Sequence, residues 1–229
     1  MIAILDYGMG NLRSVEKALE RVGAQAEITR RPEQLRSAEA VVLPGVGAFP
    51  QAMENLRASD FEAAVLDFIR QGKPFLGICL GQQLLFERSK EFGSTEGLGV
   101  VAGEVVRFEG PAFAANRKSK SDRAPLKVPH MGWNEIRLLK PCPLFAGVES
   151  GAMAYFVHSY YGLPREESWA AAATEYGVSF ASALWKDNVY ACQFHPEKSG
   201  QVGLRILRNF ARIVEKHRGR AGSGSDSGD

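Results

Sequence analysis

Four short strand-like runs near the N-terminal end, at residues 2–5, 26–29, 40–43 and 75–78, limit this chain more than any other feature. Each is too short for a helix and ends at glycine, proline or a polar residue, as buried strands do. Between the first two runs, Leu12, Val15, Leu19 and Val22 recur at helical spacing. Asn11 is placed to cap that helix, and Gly23 to stop it. Asp60 is placed to cap a second helix with Phe61, Val65, Phe68 and Ile69 on one face. Strand and helix alternating at this spacing imply parallel strands joined by right-handed crossovers. The fold class is therefore α/β.

The second half is richer in strands, expected at residues 105–108, 133–138, 154–158, 170–174, 181–185 and 189–194. A closing helix is expected over 201–216, with Val202, Ile206, Phe210 and Ile213 along one side. This organisation predicts one domain over 1–216, followed by a polar tail, 217–229, that is disordered over its Gly/Ser/Asp-rich part from Gly219.

Composition removes several function classes. Across 229 residues, 28 Lys and Arg face 26 Asp and Glu, a net charge of +2. No bulk field favours nucleic acid or a membrane surface. Cys79, Cys142 and Cys192 are an odd, widely spaced set, with neither a disulfide framework nor metal-ligand spacing, so no metal is expected. Reduced thiols and a cytoplasmic setting are the expectation. The opening MIAILDYG is too short and too acidic for a signal peptide, and no run approaches the ~20 apolar residues of a membrane helix. Residues 110–127 carry Arg117, Lys118, Lys120, Arg123 and Lys127 and are expected to form a solvated basic loop.

The chemistry begins at Cys79. Gly77-Ile78-Cys79-Leu80-Gly81 follows an apolar run and precedes the helical-looking residues 82–86. That is the layout of a nucleophile elbow, with sulfur in place of a serine hydroxyl. A sharp turn needs small neighbours. It raises the side chain at the end of a strand, where open α/β sheets bind ligands. The helix start beneath favours a thiolate and offers N–H groups to an oxyanion. Taken alone, the motif is equally compatible with an inert cysteine buried at a strand end.

His195 and Glu197 shift that balance. In Gln193-Phe194-His195-Pro196-Glu197, Pro196 biases His195 toward extended backbone. Residues two apart on extended chain share a side, so the carboxylate can hold one ring nitrogen while the other faces the thiol. Cys142, between two prolines, and Cys192 have no such context and read as structural. Pro44-Gly45-Val46-Gly47 is a βα turn; no Lys-Ser/Thr follows it, so it is not a phosphate loop.

Over residues 1–216 the sequence resembles the class I glutamine amidotransferases. The segments Asp6-Tyr7-Gly8-Met9-Gly10-Asn11-Leu12, Pro44-Gly45-Val46-Gly47-Ala48-Phe49, Pro129-His130-Met131-Gly132-Trp133-Asn134 and Tyr155-Phe156-Val157-His158-Ser159-Tyr160 carry the likeness, with the Cys79 elbow and Phe194-His195-Pro196-Glu197-Lys198-Ser199. Together they resemble the branch that serves a (β/α)8 cyclase of histidine biosynthesis, which makes imidazole glycerol phosphate. The resemblance implies a three-layer, flavodoxin-like fold with a mostly parallel central sheet and added antiparallel strands. It implies hydrolysis of L-glutamine to glutamate and ammonia by a Cys79, His195 and Glu197 triad, with no cofactor. By the same likeness Val46 and Leu80 supply the oxyanion N–H groups. Gly47, Gln83, Ser159 and Tyr160 bind substrate. Trp133, Tyr155 and Lys198 face the cyclase in a heterodimer that channels ammonia. Two other classes stay open: a Cys-His peptidase or γ-glutamyl hydrolase, and a non-catalytic scaffold. Within the family, branches serving pyridoxal phosphate or anthranilate synthesis are the rivals.

Overall fold

The structure, a computed structural model, describes residues 1–113 and 125–223. In the first part of the chain β1 (Ile2–Leu5), α1 (Leu12–Arg21), β2 (Ala26–Thr29), β3 (Ala40–Gly45), α2 (Phe49–Ala58), α3 (Phe61–Arg70) and β4 (Phe75–Cys79) follow one another. A single helical turn, α4 (Leu80–Gln83), leads to β5 (Phe86–Ser89), β6 (Thr95–Glu96) and β7 (Val101–Arg107). Then come β8 (His130–Leu138), β9 (Ala152–His158), β10 (Tyr160–Pro164), β11 (Ala170–Glu175), β12 (Ser179–Lys186), β13 (Val189–Cys192) and α5 (Gly200–Ser223).

A nine-stranded sheet in the order β2-β1-β3-β4-β13-β12-β11-β8-β9 carries the fold. Its first five strands pair in parallel, and β13 lies beside β4. From β13 onward every pairing is antiparallel. A second sheet, β10-β7-β5-β6, packs alongside. Of the parallel strands, β1, β3, β4 and β13 are buried on both faces, which is why they read as apolar runs, whereas the edge strand β2 exposes Glu27. Alternation along β1 divides the core. Ile2 and Ile4 join Val15, Leu19, Ile206 and Phe210 on one face. Ala3 and Leu5 join Phe49, Met53, Phe61 and Phe68 on the other.

The structure differs from the sequence reading at several points. Neither Asn11 nor Asp60 makes a side-chain cap; Asp60 sits in the left-handed region at φ 57°. The helix α2 went unread, because Phe49-Pro50 opens it with no polar cap. Of residues 82–86 only Gln82 and Gln83 are helical: the chain leaves α4 after one turn and enters β5, with Leu84, Leu85 and Phe86 fully buried. The closing helix runs to Ser223 rather than 216, so the start of the expected tail is helical. Arg117, Lys118, Lys120 and Arg123 of the expected basic loop, and residues 224–229, lie outside the described residues. Among the described residues no helix is long and apolar enough to cross a membrane, and no cluster of ligating side chains could hold a metal ion.

Candidate active site

Cys79 ends β4 with φ 55° and ψ −109°, a backbone state L-residues rarely adopt. The neighbouring glycines make this possible by their lack of a side chain. A Cβ on Gly81 would stand 1.8 Å from the Leu43 carbonyl oxygen, and one on Gly77 would stand 2.7 Å from that of Gly81. The bend therefore folds tightly onto β3, whose last residue, Gly45, pairs with Cys79. The sulfur is only 5% exposed, yet it lines a cavity of about 420 Å³. That volume suits a small ligand.

His195 shares this cavity. It follows β13 in extended backbone, as Pro196 requires, and its N–H is tied to the Tyr155 carbonyl at 2.9 Å. Its Nδ1 lies 2.7 Å from Glu197 Oε1, with both side chains almost wholly buried. The expected partnership is present, but by another route. Glu197 lies in a 3-10 turn over Pro196–Lys198, not on extended chain. His195 Nε2 is buried without a hydrogen bond of ordinary geometry. Burial opposes charging this ring. The Cys79 sulfur and the Glu197 carboxylate favour it and prevail, pushing its pKa up to about 10. An imidazolium beside sulfur is the counterion a thiolate needs.

A second histidine on the cavity wall, His158, has the opposite character. Its Nδ1 donates to the Tyr160 carbonyl at 2.8 Å, and its Nε2 lies 2.9 Å from His130 Nδ1. Burial holds His158 down at about 3 and His130 at about 4, so both stay neutral. Two environments thus separate one proton-carrying histidine from two structural ones.

Val46, Gly47, Leu80, Gln83, Ser159 and Tyr160 all line the same cavity. Leu80 opens the helical turn directly after the nucleophile, and Val46 follows the Gly45 that pairs with Cys79. Gly47, at φ 97°, needs the freedom of glycine. The Gln83 amide nitrogen is already engaged, 2.9 Å from both the Tyr160 carbonyl and Gln193 Oε1. Only its oxygen is left for a ligand.

Three further residues escaped the sequence reading. Glu91 lines the cavity with one oxygen held by the Phe49 N–H at 2.8 Å. Burial raises its carboxyl, and the Phe49 bond partly offsets this. Tyr7 donates to the Pro44 carbonyl at 2.9 Å and so buttresses the turn. Gln193 reaches the sulfur itself. Tyr7 and Gln193 lie inside runs singled out from the sequence and Glu91 does not, but spacing assigns none of the three a role.

Trp133 and Tyr155 face each other across β8 and β9, ring centroids 6.1 Å apart, with the Lys198 ammonium 6.0 Å over Tyr155. Trp133 is 54% exposed, so it is not core. Met131 and Met153 extend the apolar face. A larger cavity, about 520 Å³, lies at the opposite ends of the strands near Pro74, Asn188 and His217, far from Cys79 along β4. It has no nucleophile.

A thiol raised at a strand-to-helix bend, with a charged imidazole and a carboxylate behind it, is the equipment of acyl transfer through a thioester. The family model for glutamine amidotransferase class-I matches residues 3–214, and the chain belongs to that family. Its relatives are narrower in kind. The imidazole glycerol phosphate synthase subunit HisH of Geobacter metallireducens is 54% identical over 210 residues, 92% of this chain and 97% of that protein. The same subunit of Syntrophotalea carbinolica is 53% identical over 92% of this chain and 98% of its own length. That of Moorella thermoacetica is 48% identical over 96% and 98%. Among solved structures, PurLQS from Thermotoga maritima superposes with a TM-score of 0.71 at 16% identity, over 93% of this chain and 98% of that one. A structure described as a glutamine amidotransferase gives 0.67 at 20%, over 93% and 98%. At such identity they establish the fold alone.

Proposed function

We propose that this chain is the glutaminase subunit of an imidazole glycerol phosphate synthase in histidine biosynthesis, acting in the cytoplasm. The observation that carries the chemistry is the Cys79 bend sharing one cavity with the His195–Glu197 pair. The Cys79 thiolate attacks the side-chain carbonyl carbon of glutamine. Val46 and Leu80 N–H groups meet the oxyanion, each worth roughly 3–4 kcal/mol. His195 gives its proton to the departing nitrogen, ammonia leaves and a thioester remains. Water then attacks that thioester, His195 takes a proton from it, and glutamate is released with the thiol restored. Glu197 keeps the ring oriented throughout.

Ser159, Tyr160, Gly47 and the Gln83 oxygen frame the substrate. Glu91 supplies the counter-charge for its α-ammonium: it is the carboxylate among the residues that line the cavity, with one oxygen uncommitted. The partner is a (β/α)8 cyclase docked on the Met131–Trp133–Tyr155–Lys198 face. It uses the ammonia to make imidazole glycerol phosphate and AICAR from PRFAR. Direct transfer matters because ammonia in neutral water is mostly the non-nucleophilic ammonium ion. This face is mechanically joined to the site, since Tyr155 binds the His195 backbone through its carbonyl and Ser199 Oγ through its N–H.

Ammonia release from glutamine, measured with and without the cyclase subunit and its ligand, tests both halves. Turnover should rise when both are added, and Cys79→Ser should lower it by roughly 10⁴-fold or more. Substantial turnover by the serine variant would remove Cys79 from the nucleophile role. Full activity of the lone chain, unchanged by the cyclase, would sink the coupled reading.

A further inference from the structure

The buried side chains around the sulfur include one whose orientation is dictated by a chain of hydrogen bonds. Gln83 Nε2 lies 2.9 Å from the Tyr160 carbonyl oxygen. A carbonyl cannot donate, so the Gln83 atom there is the amide nitrogen. The same nitrogen lies 2.9 Å from the side-chain amide of Gln193. It is a donor, so the Gln193 atom facing it is the oxygen. The Gln193 nitrogen is thereby turned to Cys79 Sγ, 3.7 Å away, within reach of an N–H···S bond given the size of sulfur. Gln193 is completely buried, and its backbone N–H is anchored on the Ser182 carbonyl at 2.9 Å. It is shut off from water, and a flipped amide would set its nitrogen against the Gln83 donor.

Resting on the glutaminase reading above, we propose that Gln193 is a further catalytic residue, whose side-chain N–H donates to the Cys79 thiolate and stabilises it before attack on glutamine. Sulfur that accepts a hydrogen bond holds negative charge more readily than sulfur in an apolar wall, and a bond to a charged group is among the stronger ones. His195 supplies the opposing charge and Gln193 a fixed dipole. The other titratable groups around this sulfur are Tyr7 and Cys192, neither cationic, with Glu91, Tyr160 and the neutral His158 elsewhere on the cavity wall. Gln193 also ties the thiolate to the substrate pocket. The Gln83 that orients it lines the same cavity, so a ligand that displaces Gln83 releases the Gln193 amide as well.

The test is the pH dependence of iodoacetamide alkylation of Cys79 in the full chain, followed by mass spectrometry for wild type and Gln193→Met. Methionine keeps the length and removes the donor. The curve of the variant should move to higher pH, with the rate at pH 7 falling roughly tenfold. Coincident curves would overturn the proposal, even if glutamine turnover fell, because a merely structural role leaves thiolate formation unchanged. Should the methionine variant fail to fold, side-chain amide resonances in the wild type decide. Those of Gln193 should follow the alkylation curve and stop doing so in Cys79→Ser; resonances that ignore it would reject the bond. Alkylation needs no glutamine, so failure here is distinct from failure of the glutaminase reading.

Discussion

Two cysteines on neighbouring strands have opposite characters. Cys192 on β13 is level with Ile78 on β4, one residue short of Cys79. Both thiols are buried. Cys192 stays in the sheet, packed on all sides, and burial pushes its thiol well up from its usual range. Cys142, elsewhere in the chain, is pushed up to about 11 by the same cause. At Cys79 the backbone turns through a positive φ, and the sulfur enters a cavity beside a charged imidazole. Residue type and depth are nearly the same in the two places. What makes a nucleophile is a bend of the main chain and the cavity it opens into.

The largest test of that comparison removes the bend. Gly81→Ala forces a Cβ against the backbone oxygen of Leu43, which cannot move aside as a side chain would. We expect a loss of about 2–3 kcal/mol in thermal or urea unfolding. Ammonia release should fall by about 100-fold or more, because a misplaced nucleophile loses its alignment. Full activity in this variant would show that the tight turn is not what activates Cys79.

A smaller effect is expected from the cavity wall. Glu91→Gln keeps the shape and removes the charge. KM for glutamine should rise roughly thirtyfold, as for one partner lost from a buried charge pair. The maximal rate should change much less, because the loss is of binding shared by ground and transition states. An unchanged KM would show that the α-ammonium is read elsewhere. The smallest effect belongs to the passive cysteine: Cys192→Ala should cost about 1 kcal/mol of stability and leave turnover within about twofold. A collapse of turnover there would erase the distinction between the two thiols.

The same contrast governs what could be read from the chain in advance. The elbow is written in five consecutive residues, because tight backbone packing admits only glycine at Gly77 and Gly81. The triad's other half is legible because Pro196 constrains His195 and brings Glu197 next to it. The inner parallel strands were legible because burial on both faces demands unbroken apolar runs. Failures came where tertiary packing overrode local pattern. Leu84, Leu85 and Phe86 look helical beside Gln82 and Gln83, yet β5 takes Phe86 into the second sheet, where it pairs with Val101. The capping residues were misread because a polar side chain at a helix start has a preference, not an obligation, to bond there. Glu91 lies outside every motif, and Tyr7 and Gln193 lie inside motifs that say nothing of their partners. Each is an ordinary polar residue whose role depends on partners at 49, 44, 79 and 83.

The order of the amino acids alone determined the α/β alternation, the Cys79, His195 and Glu197 set proposed as nucleophile, base and carboxylate, and membership of the glutamine amidotransferases. These depend on short stretches in which backbone sterics or hydrophobic periodicity leave few alternatives. Only the folded molecule decided which histidine carries a proton, which carboxylate lines the cavity and which amide faces the sulfur. Those outcomes depend on burial and on charges brought together from distant parts of the chain, and electrostatics in a partly buried site is set by distance in space.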